Sequence, residues 1–188
     1  MPAANPFTIT YFTVVEDDRT GWTGGMLHLD SSGRPIEFQC TLPVRTTRTH
    51  EILFGSTLRD HLIGSVIGPL LIKKAKSPIS LLCSDQVEAL QMQSVIGFPV
   101  ALVQEAAEDD EGPIDDETWN GSATVMLGQA HLRVAIERVD ATRDVCESMS
   151  DLPDPLEPLE RIREAIKEAH SQIARQRRHS ATGLPEAA

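Results

Sequence analysis

The 188-residue chain has no Cys-x-x-Cys pair, few aromatic residues and no apolar run long enough for a membrane span. Each absence removes a class of protein. Three cysteines, Cys40, Cys83 and Cys146, are odd in number and widely spaced, unlike a secreted disulfide framework. The longest apolar stretch, Leu62 to Ile72, is interrupted by Gly64, Gly68 and Pro69. It has about half of the roughly 20 residues a bilayer requires. The first residues, Met1 to Pro6, carry no positive charge and no apolar run, so a signal peptide is not expected and a cytoplasmic location is. Aromatics make up only 4% of the chain, which leaves the core to Leu, Ile, Val and Ala.

Catalytic signatures are also missing. There is no Gly-x-Ser-x-Gly, no phosphate-binding Gly-x-x-x-x-Gly-Lys, no Gly-x-Gly-x-x-Gly and no His-x-x-x-His. No catalytic residue, metal ligand or cofactor is therefore assigned. The net charge of −11 repels phosphate backbones, so nucleic-acid binding would need a local basic patch working against the overall field.

What is present is a globular pattern, with 40% hydrophobic residues. Phe7 to Val15, Gly25 to Asp30 and Ile36 to Thr41 read as strands, and in the third Ile36, Phe38 and Cys40 alternate with Glu37 and Gln39. Ser31 to Pro35 supplies a hairpin loop with a glycine. These segments predict a three-stranded antiparallel meander. A basic connection, Pro43 to Thr49, leads to a helix expected from Ser56 or Thr57, with Leu58, Leu62 and Val66 on one face and Pro69 kinking or splitting it. Then follow a strand at Ile79 to Cys83, a short helix near Gln86 to Gln91, and a strand at Val100 to Gln104. Residues 105–117 hold eight acidic residues and read as a solvated loop. Ala123 to Leu127 and His131 to Glu137 suggest a second hairpin, although Leu132, Ala135, Ile136 and Val139 also fit a helix, and Asp140 suggests a helix cap. The pattern gives an α+β fold with an antiparallel-rich mixed sheet: one domain over 1–150, a C-terminal amphipathic helix within 151–178, and a disordered tail over 179–188.

The candidate sites are few. Arg45 and Arg48, interleaved with threonines, suit an anion. Leu159, Ile162, Ile166 and Ile173 recur at heptad-like steps, flanked by Glu160, Arg163, Glu164 and Lys167 that can pair three apart. Such a stripe either associates with a protein partner or a second copy, or packs on its own domain. Gly64 and Gly68 let the helix approach the sheet closely. His28 reads as a hydrogen-bonded sheet residue.

Two resemblances add to this reading. The order of three antiparallel strands, a helix and a strand resembles ribonuclease-H-like nucleases. That resemblance implies two metal ions held by acids, one of them inside the first strand. Phe7 to Val15 contains no acid, Glu16 lies past its end, and Asp85 after the fourth strand is the one well-placed carboxylate. Asp17, Asp18, Asp30, Glu37 and Asp60 read as turn caps and solvated edges. The segments Gly25 to Asp30, Gly33 to Phe38, Thr41 to Val44 and Leu159 to Ile166 resemble an uncharacterised family of bacterial hypothetical proteins, which implies no function and no site. The sequence thus favours a non-catalytic protein–protein interaction or assembly protein acting through the C-terminal helix. The alternatives are a metal-dependent hydrolase or nuclease with an atypical acid set, and a small anionic-ligand sensor.

Overall fold

A computed structural model describes residues 7–104, 121–149 and 154–182, with the backbone alone for 177–182. Its centre is a seven-stranded sheet in the order β3-β2-β1-β4-β5-β7-β6. The strands are β1 (Ile9–Asp17), β2 (Gly21–Leu29), β3 (Pro35–Cys40), β4 (Leu81–Ser84), β5 (Val100–Gln104), β6 (Ser122–Leu127) and β7 (Ala130–Ala135). β1 to β3 form the expected meander, β4 lies parallel to both β1 and β5, and the β6–β7 hairpin closes the far edge antiparallel to β5. The fold is α+β, mixed and antiparallel-rich. The meander turns where the side chains favour it: Gly33 takes φ 75° while the Asp30 carboxylate accepts the Ser32 and Arg34 N–H groups.

The first helical run begins earlier than the sequence pattern predicts. It opens with α1 (Arg48–Phe54), because the Thr47 hydroxyl accepts the His50 N–H and the His50 ring returns a bond to the Thr47 N–H. The expectation of a cap at Ser56 or Thr57 missed this because α1 buries no residue and so has no apolar period. A 3₁₀ turn (Gly55–Thr57), one α turn, α2 (Leu58–Asp60), and a π-helical stretch (His61–Ile67) carry the chain into α3 (Gly68–Lys74). The run is not split at Pro69: Ile67 and Gly68 both keep helical dihedrals, and the chain passes from π to α geometry at Gly68. Gly64 and Gly68 do permit a close approach, but to the 3₁₀ helix Val87–Ser94: a Cβ would strike the Glu88 carbonyl and the Met92 sulfur.

The sheet is covered on both faces. One core gathers Phe12, Met26, Leu82 and Val100 with Leu62, Ile63 and Ile67 from the helical run and Met92 from the 3₁₀ helix. The other joins Ile9, Tyr11, Leu27, Cys83 and Leu132 to α4 (Val139–Ser148) and α5 (Glu157–Thr182). Arg138, rather than Asp140, holds the N-cap position of α4; Asp140 lies within the helix.

α5 lies on β1 and β2. Leu159, Ile162 and Ile166 are 2%, 0% and 1% exposed, and Ile173 is half-buried. Gly25 leaves room for this helix, since a Cβ there would strike Ile162 and Ile166. Of the two uses open to the apolar stripe, its first three residues take packing on the chain's own domain. The helical backbone continues past residue 178 to Thr182. The acidic loop expected at 105–117 and the end of the tail, 183–188, lie outside the described residues. No helix among the described residues is long and apolar enough to cross a membrane.

Candidate functional site

In an open sheet with parallel strands, ligand sites gather at the carboxyl ends of the strands where the connections diverge. Here that point is the end of β1 and β4. Tyr11 pairs with Cys83 and Phe12 with Ser84 in the parallel register, and Tyr11 and Cys83 share the core under α5. Side chains alternate along a strand, so Thr13 and Asp85 follow on that same face. Arg163 reaches down from α5 and forms an ion pair with Asp85, while also pairing with Glu160 one turn back. The Asp85 and Arg163 side chains are 24% and 32% exposed.

Beside this pair, the Gln86 amide bonds to the backbone of β1. Its Oε1 accepts the Val14 N–H at 2.8 Å and its Nε2 donates to the Val14 carbonyl at 2.9 Å. The side chain thereby prolongs the β1–β4 ladder beyond Ser84. Among the described residues, the buried oxygens Tyr11 Oη, Thr13 Oγ1 and Asp85 Oδ1 on this side of the sheet have no hydrogen-bond partner. Burial pushes the Tyr11 phenol far above its ordinary range, so it stays a neutral hydroxyl. Burial likewise raises the Cys83 thiol, and the Cys146 thiol to about 11, so neither cysteine is a ready nucleophile.

The remaining acids are occupied elsewhere. Asp17 accepts from the N–H groups of Thr20 and Arg19 and from the Thr20 hydroxyl, bonds that hold its carboxyl below the usual range. On the opposite face Arg59 pairs with buried Glu88, lies within 3.9 Å of Glu16, and stands 5.5 Å from the Trp22 ring centre. Glu37 resists desolvation by accepting the Ser77 and Lys76 N–H groups, which leaves its carboxyl below the usual range. Asp60 forms no ion pair among the described residues.

A pair of metal ions does not fit this donor set. β1 carries no acid before Glu16, and Asp85 is already neutralised by a guanidinium. Among the described residues no three His, Cys, Asp or Glu side chains are grouped to hold a metal.

The other sequence candidates are separated. Arg48 is highly exposed and pairs with Glu51 within α1. Arg45 donates to the Arg19 carbonyl and lines two adjoining cavities. His28 is fully buried, with Nδ1 2.9 Å from the Thr10 hydroxyl, as a sheet histidine should be. The Asp85–Arg163 pair was not legible in the sequence. The residues are 78 positions apart, and Arg163 already has a local partner in Glu160.

Known structures share this architecture. A Ciona intestinalis endonuclease V variant, solved with a 23mer DNA containing an inosine followed by a ribo-adenosine, superposes with a TM-score of 0.50 at 9% identity. The superposition covers 88% of this chain and 86% of that one. Human ENDOV gives a TM-score of 0.45 at 10% identity over 87% of this chain and 86% of its own. At such identity the likeness is one of fold. No protein-family model matches the sequence, and no curated protein matches it.

Proposed function

We propose that this chain carries the ribonuclease-H-like architecture without its phosphodiester chemistry, and acts by binding. The observation that supports this most is the Arg163 guanidinium on Asp85, at the strand ends where such folds place their chemistry. Two-metal catalysis needs several carboxylates converging on cations. A guanidinium neutralises one carboxylate with a single fixed positive charge and offers no coordination position. The Gln86 amide on Val14 fills the neighbouring backbone positions as well. What such a centre does is fasten α5 to the sheet.

The second reading, a metal-dependent nuclease with an atypical acid set, is favoured by the likeness to an endonuclease V bound to inosine-containing DNA. Residues 105–117, outside those described, hold eight further acids. Incubation of the full chain with inosine-containing DNA and Mg²⁺ or Mn²⁺ separates the two. The binding reading expects intact DNA. Metal-dependent cleavage that is lost in Asp85→Asn would establish the nuclease instead.

A further inference from the structure

We propose that the cavity between the C-terminal half of α5 and the Leu42–Arg45 segment binds an amphipathic monocarboxylate, an apolar chain or ring ending in one carboxyl group. The cavity measures about 540 Å³, within the range of small-molecule sites. Its walls are largely carbon, from Leu42, Pro43, Ile173 and Ala174. Leu42 is 77% exposed, so a ligand lying against it removes apolar surface from water.

The polar side is equally selective. The Thr20 hydroxyl is committed to Asp17, and His170 is fixed at the wall by a 2.9 Å bond between its Nε2 and the Thr23 hydroxyl. Arg45 is the one formal charge lining the cavity among the described residues. One of its nitrogens donates to the Arg19 carbonyl at 3.3 Å, and it has no carboxylate within ion-pair distance among those residues. A planar guanidinium with free donors suits a carboxylate. On its other side Arg45 borders a second cavity lined by Glu16, Asp17, Asp18 and Glu51. That acidic neighbourhood repels a phosphate dianion more strongly than a monoanion, so the charge expected of the ligand is one. The carbon walls set the rest of its chemistry.

This proposal deepens the binding reading above and rests on it. The two are probed at different residues, so either can fail alone. The experiment is isothermal titration of the full chain with octanoate below its micellar range, with octanol and acetate as controls. Saturable single-site binding of octanoate is expected, and Arg45→Gln or Ile173→Glu should each weaken it by about tenfold or more. Octanol, lacking the charge, and acetate, lacking the chain, should also bind about tenfold more weakly or worse. Ala174→Trp, which fills the cavity from an exposed helix position, serves if Ile173→Glu fails to fold by circular dichroism. Absence of octanoate binding would overturn the proposal. So would equal binding by Arg45→Gln, by the cavity-blocking variant, or by either control.

Discussion

Replacing Arg163 by Met tests whether α5 is fastened to the sheet through Asp85. The substitution keeps the aliphatic length and removes the charge. The exposures of 24% and 32% place the pair between two regimes. Fully exposed pairs contribute about 0.2–1 kcal/mol, whereas breaking a fully buried pair costs about 3–5 kcal/mol. A loss of about 1–3 kcal/mol is expected, most of it from leaving a carboxylate half-buried with Oδ1 already unpartnered. For a chain of this size each kcal/mol lowers the thermal midpoint by about 2–4 °C. The exposed Glu160 bond is lost too, so the single variant overstates the contact with Asp85. A double-mutant cycle with Asp85→Asn removes that excess, and urea unfolding should return a coupling of about 1–2 kcal/mol. Coupling within about 0.5 kcal/mol of zero would refute the fastening role, because the two side chains would then be acting independently.

Arg59→Ala strands the Glu88 carboxylate, whose side chain is 10% exposed, and should cost about 2–4 kcal/mol by urea unfolding, with a change in Trp22 emission as the cation leaves the ring. A loss below about 0.5 kcal/mol would mean that Glu88 is reached by water. Glu37, Asp17 and Asp30 have carboxyls depressed in the folded state, so their stabilisation is complete above the unfolded carboxylate range and is lost as pH falls through the folded values. Glu37→Ala should therefore flatten the acid limb of a stability–pH profile, and an unchanged limb would dissociate Glu37 from the Lys76–Ser77 turn. Ending the chain at Asp151 removes Leu159, Ile162 and Ile166 from the core, at about 1.5–3 kcal/mol each. That sum is comparable to the whole stability of a domain, so the truncated chain should be unfolded or aggregated in light scattering. A stable folded monomer would instead return the stripe to the role of an association surface.

The meander was legible from β-branched and aromatic residues in β1, period-two alternation in β3 and turn chemistry at Ser31 to Pro35. In the second hairpin β7 alternates buried and half-buried residues, so the strand prevailed over the helix that its apolar spacing also fits. α1 was not, because its start depends on a reciprocal bond between Thr47 and His50 while its faces stay in water. The flanking pairs of α5, Glu160 with Arg163 and Glu164 with Lys167, form as spacing predicts. The destination of its apolar stripe is set by Gly25, 137 residues before Ile162, and no local period encodes that. The candidate site was half visible. Asp85 stood out by position, but its partner was assigned to the helix surface, since a residue that satisfies a three-apart pair gives no sign of a second, long-range one.

At the strand ends of β1 and β4 the Asp85 carboxylate is paired with the Arg163 guanidinium and, on the proposed reading, holds no metal. Manganese binding, followed by the loss of the free-ion electron paramagnetic resonance signal, addresses this directly. The parent chain and Asp85→Asn should give the same weak isotherm, set by surface acids alone. A tight site in the parent that disappears in Asp85→Asn would contradict the account.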